Sequence, residues 1–204
     1  MGTRAGFPLL ILICIVTTGA FATSAKPSAL NASAHGLAAH TGSLQAPTTT
    51  LDLFSGNGAI GRKDAEVQWL DGLDWTRAWI ISPNPSYDVL PGTNYVFSNP
   101  SGCCPEFTRI RFRIRFVLPA DFSNASISGF VHADNAATVI LNESHFVIMP
   151  DEEIGDNFRD PPASFEDSNP ADFHPGVNTL RFVLHNFHGP AGLDFHMQVT
   201  YDAG

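Results

Sequence analysis

The chain has 204 residues, a formal net charge of −9 and 44% hydrophobic residues. That is enough for one domain with a real core. The acidic balance argues against general nucleic-acid binding and against adsorption to an anionic membrane, because the long-range field repels both.

Met1–Ala25 reads as a secretory signal peptide. Arg4 is its only charge, Phe7–Val16 is a short apolar run, and Ala20-Phe21-Ala22 offers small residues for cleavage. The run is too short to cross a bilayer, which takes about 20 apolar residues. Cys14 follows bulky Ile13, where a lipoprotein signal needs a small residue. Thr23–Thr50 is rich in Ala, Ser, Thr and Pro, and residues 26–50 are taken as a disordered linker. The globular domain is expected over residues 51–204. With no later membrane span and no sorting tail at Tyr201-Asp202-Ala203-Gly204, the expectation is a secreted protein, extracellular or in the cell envelope.

Short strand patterns then recur between Gly, Pro, Asn and Asp. They are Leu51–Phe54, Ala65–Leu70, Arg77–Ile81 and, after the Pro91-Gly92 turn, Asn94–Phe97. Residues 109–116 alternate strictly between arginine and a bulky apolar residue. A period of two puts Ile110, Phe112, Ile114 and Phe116 on a core face and Arg109, Arg111, Arg113 and Arg115 on a solvent face. Ser126–His132 and Ala137–Asn142 follow, joined by Ala133-Asp134-Asn135-Ala136, which reads as a tight hairpin turn. His145–Met149 is the next strand, and Pro150–Pro175 reads as a long acidic loop. Thr179–His185 turns Leu180, Phe182 and Leu184 inward. The last strand sets Leu193, Phe195, Met197, Val199 and Tyr201 against Asp194, His196, Gln198 and Thr200. No amphipathic helix exceeds a turn or two, so the expected class is an all-β sandwich or barrel.

The order of Arg77-Ala-Trp-Ile80, Gly92-Thr-Asn-Tyr-Val-Phe97, Phe112-Arg-Ile-Arg-Phe-Val-Leu-Pro119, Ala133-Asp-Asn135, Val139-Ile-Leu-Asn142, Pro175-Gly-Val-Asn-Thr-Leu180 and Gly189-Pro-Ala-Gly-Leu193 resembles the galactose-binding-domain-like jelly rolls of secreted proteins. The resemblance covers roughly residues 51–201 and rests on turns and strands, so it speaks to fold more than to activity. It implies an antiparallel jelly-roll β-sandwich with sugar-binding loops at one end and a possible structural calcium. No ligand motif allows binding residues to be carried over.

An aromatic platform suits a sugar ring, whose face is apolar and whose rim is polar. Trp69, Trp75 and Trp79 fall close together, with Tyr87 and Tyr95 downstream. Trp79 is assigned to the core. Trp75, beside Asp74 in an expected turn, is the best ligand candidate, with Asp74 and Trp69 next. Arg111 and Arg113 are candidates for an acidic polymer; the plainer reading is a solvated face paired with carboxylates on neighbouring strands.

Gly56-Asn-Gly58-Ala-Ile-Gly61 has dinucleotide-motif spacing, but no helix pattern follows, so it reads as a glycine loop. Asp64 beside it, and the acidic loop Asp151, Glu152, Glu153, Asp156 and Asp160, are calcium candidates by position only. His185, His188 and His196 need not converge on a metal. Cys103 and Cys104 are neighbours and cannot staple distant parts of the fold; a reduced or locally bridged pair is favoured over pairing with another chain. Asn31, Asn124 and Asn142 head glycosylation sequons. Nucleophile-elbow and metalloprotease motifs are absent, whereas a glycosidase carboxylate pair is recognisable only in space.

The leading expectation is a secreted, non-catalytic, lectin-like carbohydrate-binding module that neither enters membranes nor binds nucleic acid. The alternative is an extracellular structural or adhesion domain gripping protein or acidic polymer through the arginine face. A small hydrolase stands third.

Overall fold

A computed structural model of the chain describes residues 46–103, 108–147 and 157–204, all within one compact unit, Ser43–Gly204. The signal and most of the linker assigned above, Cys104 and the acidic run Asp151–Asp156 lie outside the described residues.

The described residues form eleven strands: β1 (Thr48–Phe54), β2 (Lys63–Asp71), β3 (Asp74–Ile80), β4 (Val96–Phe97), β5 (Thr108–Leu118), β6 (Ser123–Asp134), β7 (Ala136–Leu141), β8 (Ser144–Val147), β9 (Ala163–Asp167), β10 (Gly176–Asn186) and β11 (Gly192–Asp202). Helical structure among them is limited to one 3₁₀ turn, Pro170–Asp172. No described helix is long and apolar enough to cross a membrane.

All pairings are antiparallel. The ladder runs β8-β7-β10-β5-β2-β3-β4-β11-β6-β9, with β1 on β11. Two long pairs anchor it. β5 and β10 stay in register from Leu118↔Gly176 to Thr108↔Asn186, and β6 and β11 pair from Asp134↔Gly192 to Ser126↔Thr200. The sheet curls so that these pairs share one core. Phe182 of β10 stacks on Phe195 of β11, ring centroids 4.4 Å apart.

Alternation in β5 holds throughout: Ile110, Phe112, Ile114, Phe116 and Leu118 are buried, while Arg109, Arg111 and Arg115 are exposed and Arg113 is half-buried. The same rule turns Leu180, Phe182 and Leu184 inward from β10 and Leu193, Phe195, Met197 and Val199 from β11. A strand with apolar residues at every second position buries one face whatever its neighbours are.

Three expectations change. Ala133–Ala136 is not a hairpin turn, since β6 pairs with β11 and β9 while β7 pairs with β10 and β8. It is a buried corner that moves the chain from one half of the sheet to the other. Asn135 stitches it to the end of β10, its N–H donating to the His185 carbonyl (2.8 Å) and its Oδ1 accepting from the Phe187 N–H (2.9 Å). Pro150–Pro175 is not all loop: β9 lies within it, pairs with β6 and buries Phe165. β1 begins at Thr48, so Thr48–Thr50, assigned above to the linker, are ladder partners of Asp202, Tyr201 and Thr200.

Candidate functional site

Strand register places side chains that lie far apart in sequence on one outer face. Gln68 pairs with both Arg77 and Arg113, and Arg113 pairs with Arg181. Paired residues project from the same side of a sheet, so Arg77, Gln68, Arg113 and Arg181 form a row across β3, β2, β5 and β10. Trp75, two residues before Arg77, shares that face.

The chain reaches Trp75 through a two-residue loop, Gly72-Leu73, closed by the Asp71↔Asp74 pair. Gly72 takes φ 63°, the left-handed value a primed hairpin turn requires at its first position. Trp75 is therefore a strand residue, not a turn residue as the sequence suggests. The Arg113 guanidinium lies over its indole, 4.1 Å from the centroid, and Arg113 Nε donates to Gln68 Oε1 at 2.8 Å. Burial, and then the charge of Arg115, hold Arg113 below the ordinary arginine pKa.

Trp75 and Arg113 line an open cleft of about 440 Å³, together with Arg181, Glu143, Asp172 and His174. Its far wall is fixed by an asparagine pair. The Asn142 side-chain amide donates to the Asp172 carbonyl (2.8 Å) and to Asn178 Oδ1 (2.9 Å), and Asn142 Oδ1 accepts from the Thr179 N–H (2.9 Å). Asn178 is fully buried and donates to the carbonyls of His174 and Gly176. Ser144 hydrogen-bonds Asp172, and the Arg181 guanidinium donates to the Asn142 carbonyl. These bonds tie the β7–β8 hairpin to the entry of β10, so the wall is preorganised.

Arg111 and Arg115 stand beside the cleft on β5, opposite Val183 and Thr179. Among the described residues no carboxylate pairs with Arg111, Arg113, Arg115 or Arg181. The carboxylate pairing expected for this face is not made at these four positions by any described residue.

Other candidates lie elsewhere. Trp69 pairs with Phe112, faces inward and packs against the core, with its indole N–H unbonded; it is on the opposite side of the sheet from Trp75. Asp74 is exposed at the hairpin end. Trp79 packs against the core as expected, with Lys63 Nζ 4.6 Å from its ring centroid. Tyr87 and Tyr95 pack at a tilt, ring centroids 4.8 Å apart, away from the cleft, and Tyr87 hydrogen-bonds Asp134.

Asp64 has a structural part rather than a calcium-like one. It is fully buried, and its carboxylate accepts four backbone N–H groups: Gly56 (2.7 Å), Asn57 (3.0 Å), Glu66 (2.8 Å) and Val67 (2.8 Å). Those bonds hold the glycine loop between β1 and β2, which leads into a strand and not a helix. His185 and His196 sit on β10 and β11, and His196 Nε2 lies 3.4 Å from Asp52 Oδ1. Cys103 is disulfide-bonded, and its backbone pairs antiparallel with that of Pro190. Asn142 of the third sequon has its side chain committed to the cleft wall, whereas exposed Asn124 donates to Asp202 (2.8 Å).

Sequence reasoning missed Arg181, Asn142 and Asp172 as site residues. The alternation of β10 does turn Arg181 outward, but its pairing with Arg113 is a tertiary fact.

No protein-family model matches the chain, and no curated protein matches it. Among solved structures, the native structure of a family 35 carbohydrate binding module from Clostridium thermocellum aligns with a TM-score of 0.40 and 12% identity, covering 72% of this chain and 97% of that one. At that distance the likeness carries no argument about this chain's fold or ligand.

Proposed function

We propose that the protein is a secreted, non-catalytic carbohydrate-binding module of jelly-roll form that takes its glycan in the Trp75–Arg113–Arg181 cleft. The observation that carries this is the half-buried Trp75 indole set among hydrogen-bonding side chains in a preformed cleft. A sugar ring needs that combination: apolar surface for its C–H face and polar groups for its hydroxyl rim. In Trp75→Ala, binding on a glycan array weakens about tenfold or more, since about 1.4 kcal/mol corresponds to a factor of ten. Unchanged binding by a folded variant removes Trp75 from the site.

A second reading, an extracellular adhesion domain that grips a protein through the same face, draws on one feature. Val117 and Val177 are register partners, 61% and 54% exposed, next to the arginines. A blank array from a folded sample shifts the assignment to that reading.

A further inference from the structure

We infer that the ligand is a linear polyanionic polysaccharide, laid along the outer face of β5 and bound at several anionic groups at once. The inference rests on the reading of the cleft as a glycan site and names the class of glycan.

Charge distribution is the first support. The chain is acidic overall, yet six of its 11 Lys and Arg residues project from this one face: Arg77, Arg109, Arg111, Arg113, Arg115 and Arg181. Arg113 and Arg181 are directly opposite each other across the ladder. Like charges so placed repel, and neither has a carboxylate partner among the described residues. Arg113 instead spends its donor on the neutral amide of Gln68 and its face on Trp75. An anion between the pair supplies the missing countercharge, and the guanidinium fork matches a carboxylate or sulfate bidentately.

Spacing is the second support. Alternate residues of an antiparallel strand lie about 6.8 Å apart, so Arg111, Arg113 and Arg115 form a straight cationic line about 14 Å long. A single sugar cannot engage such a line, but a chain with regularly repeated anionic groups can. Trp75 lies beside the middle member of the line; Arg113 covers one face of its indole, so a ring of that chain would meet the other face or the ring edge. A polysaccharide offers both features this face calls for, a repeated anionic group and a ring with an apolar side for an indole.

The test is calorimetry with the whole purified protein. The probes are galacturonic acid and its dimer, tetramer and hexamer, the same oligomers as neutral methyl esters, sulfated dextran oligomers of matched length, duplex DNA, and vesicles rich in phosphatidylserine. The expected result is affinity that climbs from monomer to tetramer, falls with added salt, and is lost on esterification. Either anionic series, carboxylate or sulfate, satisfies this. Arg111→Ser and Arg115→Ser, at exposed sites with no carboxylate partner among the described residues, each weaken the tetramer about two- to fivefold, the range for an exposed ion pair, and flatten the salt dependence. Equal binding of esters and acids, still sensitive to Trp75→Ala, overturns the inference and leaves a neutral-glycan module. DNA or vesicles binding as tightly as the tetramer also overturns it. Silence with every saccharide overturns the glycan reading itself.

Discussion

Two buried aspartates show how the same residue type serves opposite ends. Asp64 is surrounded by four backbone N–H donors. Asp194 of β11 is also fully buried, but with fewer donors: Ser55 Oγ (2.8 Å), the Leu90 N–H (2.9 Å) and Thr93. Burial outweighs those bonds and pushes its carboxyl above the ordinary value of 3.8. A carboxyl with a raised folded pKa holds its proton more tightly in the folded state, so its contribution to stability is greatest at low pH. That contribution declines as pH rises from about 3.8 through the folded value. In Asp194→Asn this decline is absent. Denaturant unfolding of both proteins across acidic to neutral pH should show the wild type's advantage shrinking as pH rises; a constant difference would mean that Asp194 is not perturbed. The alternation of β11 marks Asp194 as outward, and nothing local shows that the loop carrying Leu90 and Thr93 covers it.

Among elements, the β1–β2 connection is the one whose sequence pattern misleads most. Its glycines have nucleotide-motif spacing, yet their use is steric and local. Gly56 takes φ 79°, and a Cβ there would meet Asn94 backbone atoms at 2.6 to 2.7 Å. Asp64 then binds the loop's N–H groups. In Asp64→Ala four buried or half-buried donors lose their acceptor, at about 1–3 kcal/mol for each left unsatisfied. Urea unfolding should register a loss of about 3 kcal/mol or more, and calcium should not change the wild-type midpoint; a calcium-dependent midpoint abolished by this substitution would restore the metal reading. The β6–β7 corner misleads differently. Asp134-Asn135 between two strand patterns signals a hairpin, but burial of Asp134 and Asn135, both about 5–6% exposed, belongs to a corner stitched to β10.

For the molecule as a whole, the curled sheet decides where the domain starts and where its cations gather. Thr48–Thr50 close the end of β11, and the Thr48 hydroxyl donates to Asp202 (2.7 Å). A chain starting at Leu51 should therefore be less stable than one starting at Ser43. The loss is about 0.6–3 kcal/mol, since three cross-strand pairs at about 0.2–1 kcal/mol each go with it. Equal thermal midpoints would put the domain boundary back at Leu51. The arginine face is also a property of the whole. β5 alone supplies four cations in a line, but β10, β2 and β3 convert the line into a surface with a cleft at Trp75.

The amino-acid order by itself determined which way side chains face. In β5, β10 and β11 the period of two is set by backbone geometry, so Phe112, Leu180 and Phe195 were legible as core and Arg111 and Arg113 as surface. Tertiary structure alone decided which strands are neighbours. A strand's alternation states that it has a face to bury but not against what, and curling the sheet to bury all such faces together involves residues scattered over the whole chain. That choice opposed Arg113 to Arg181 and turned a hairpin signal into a corner.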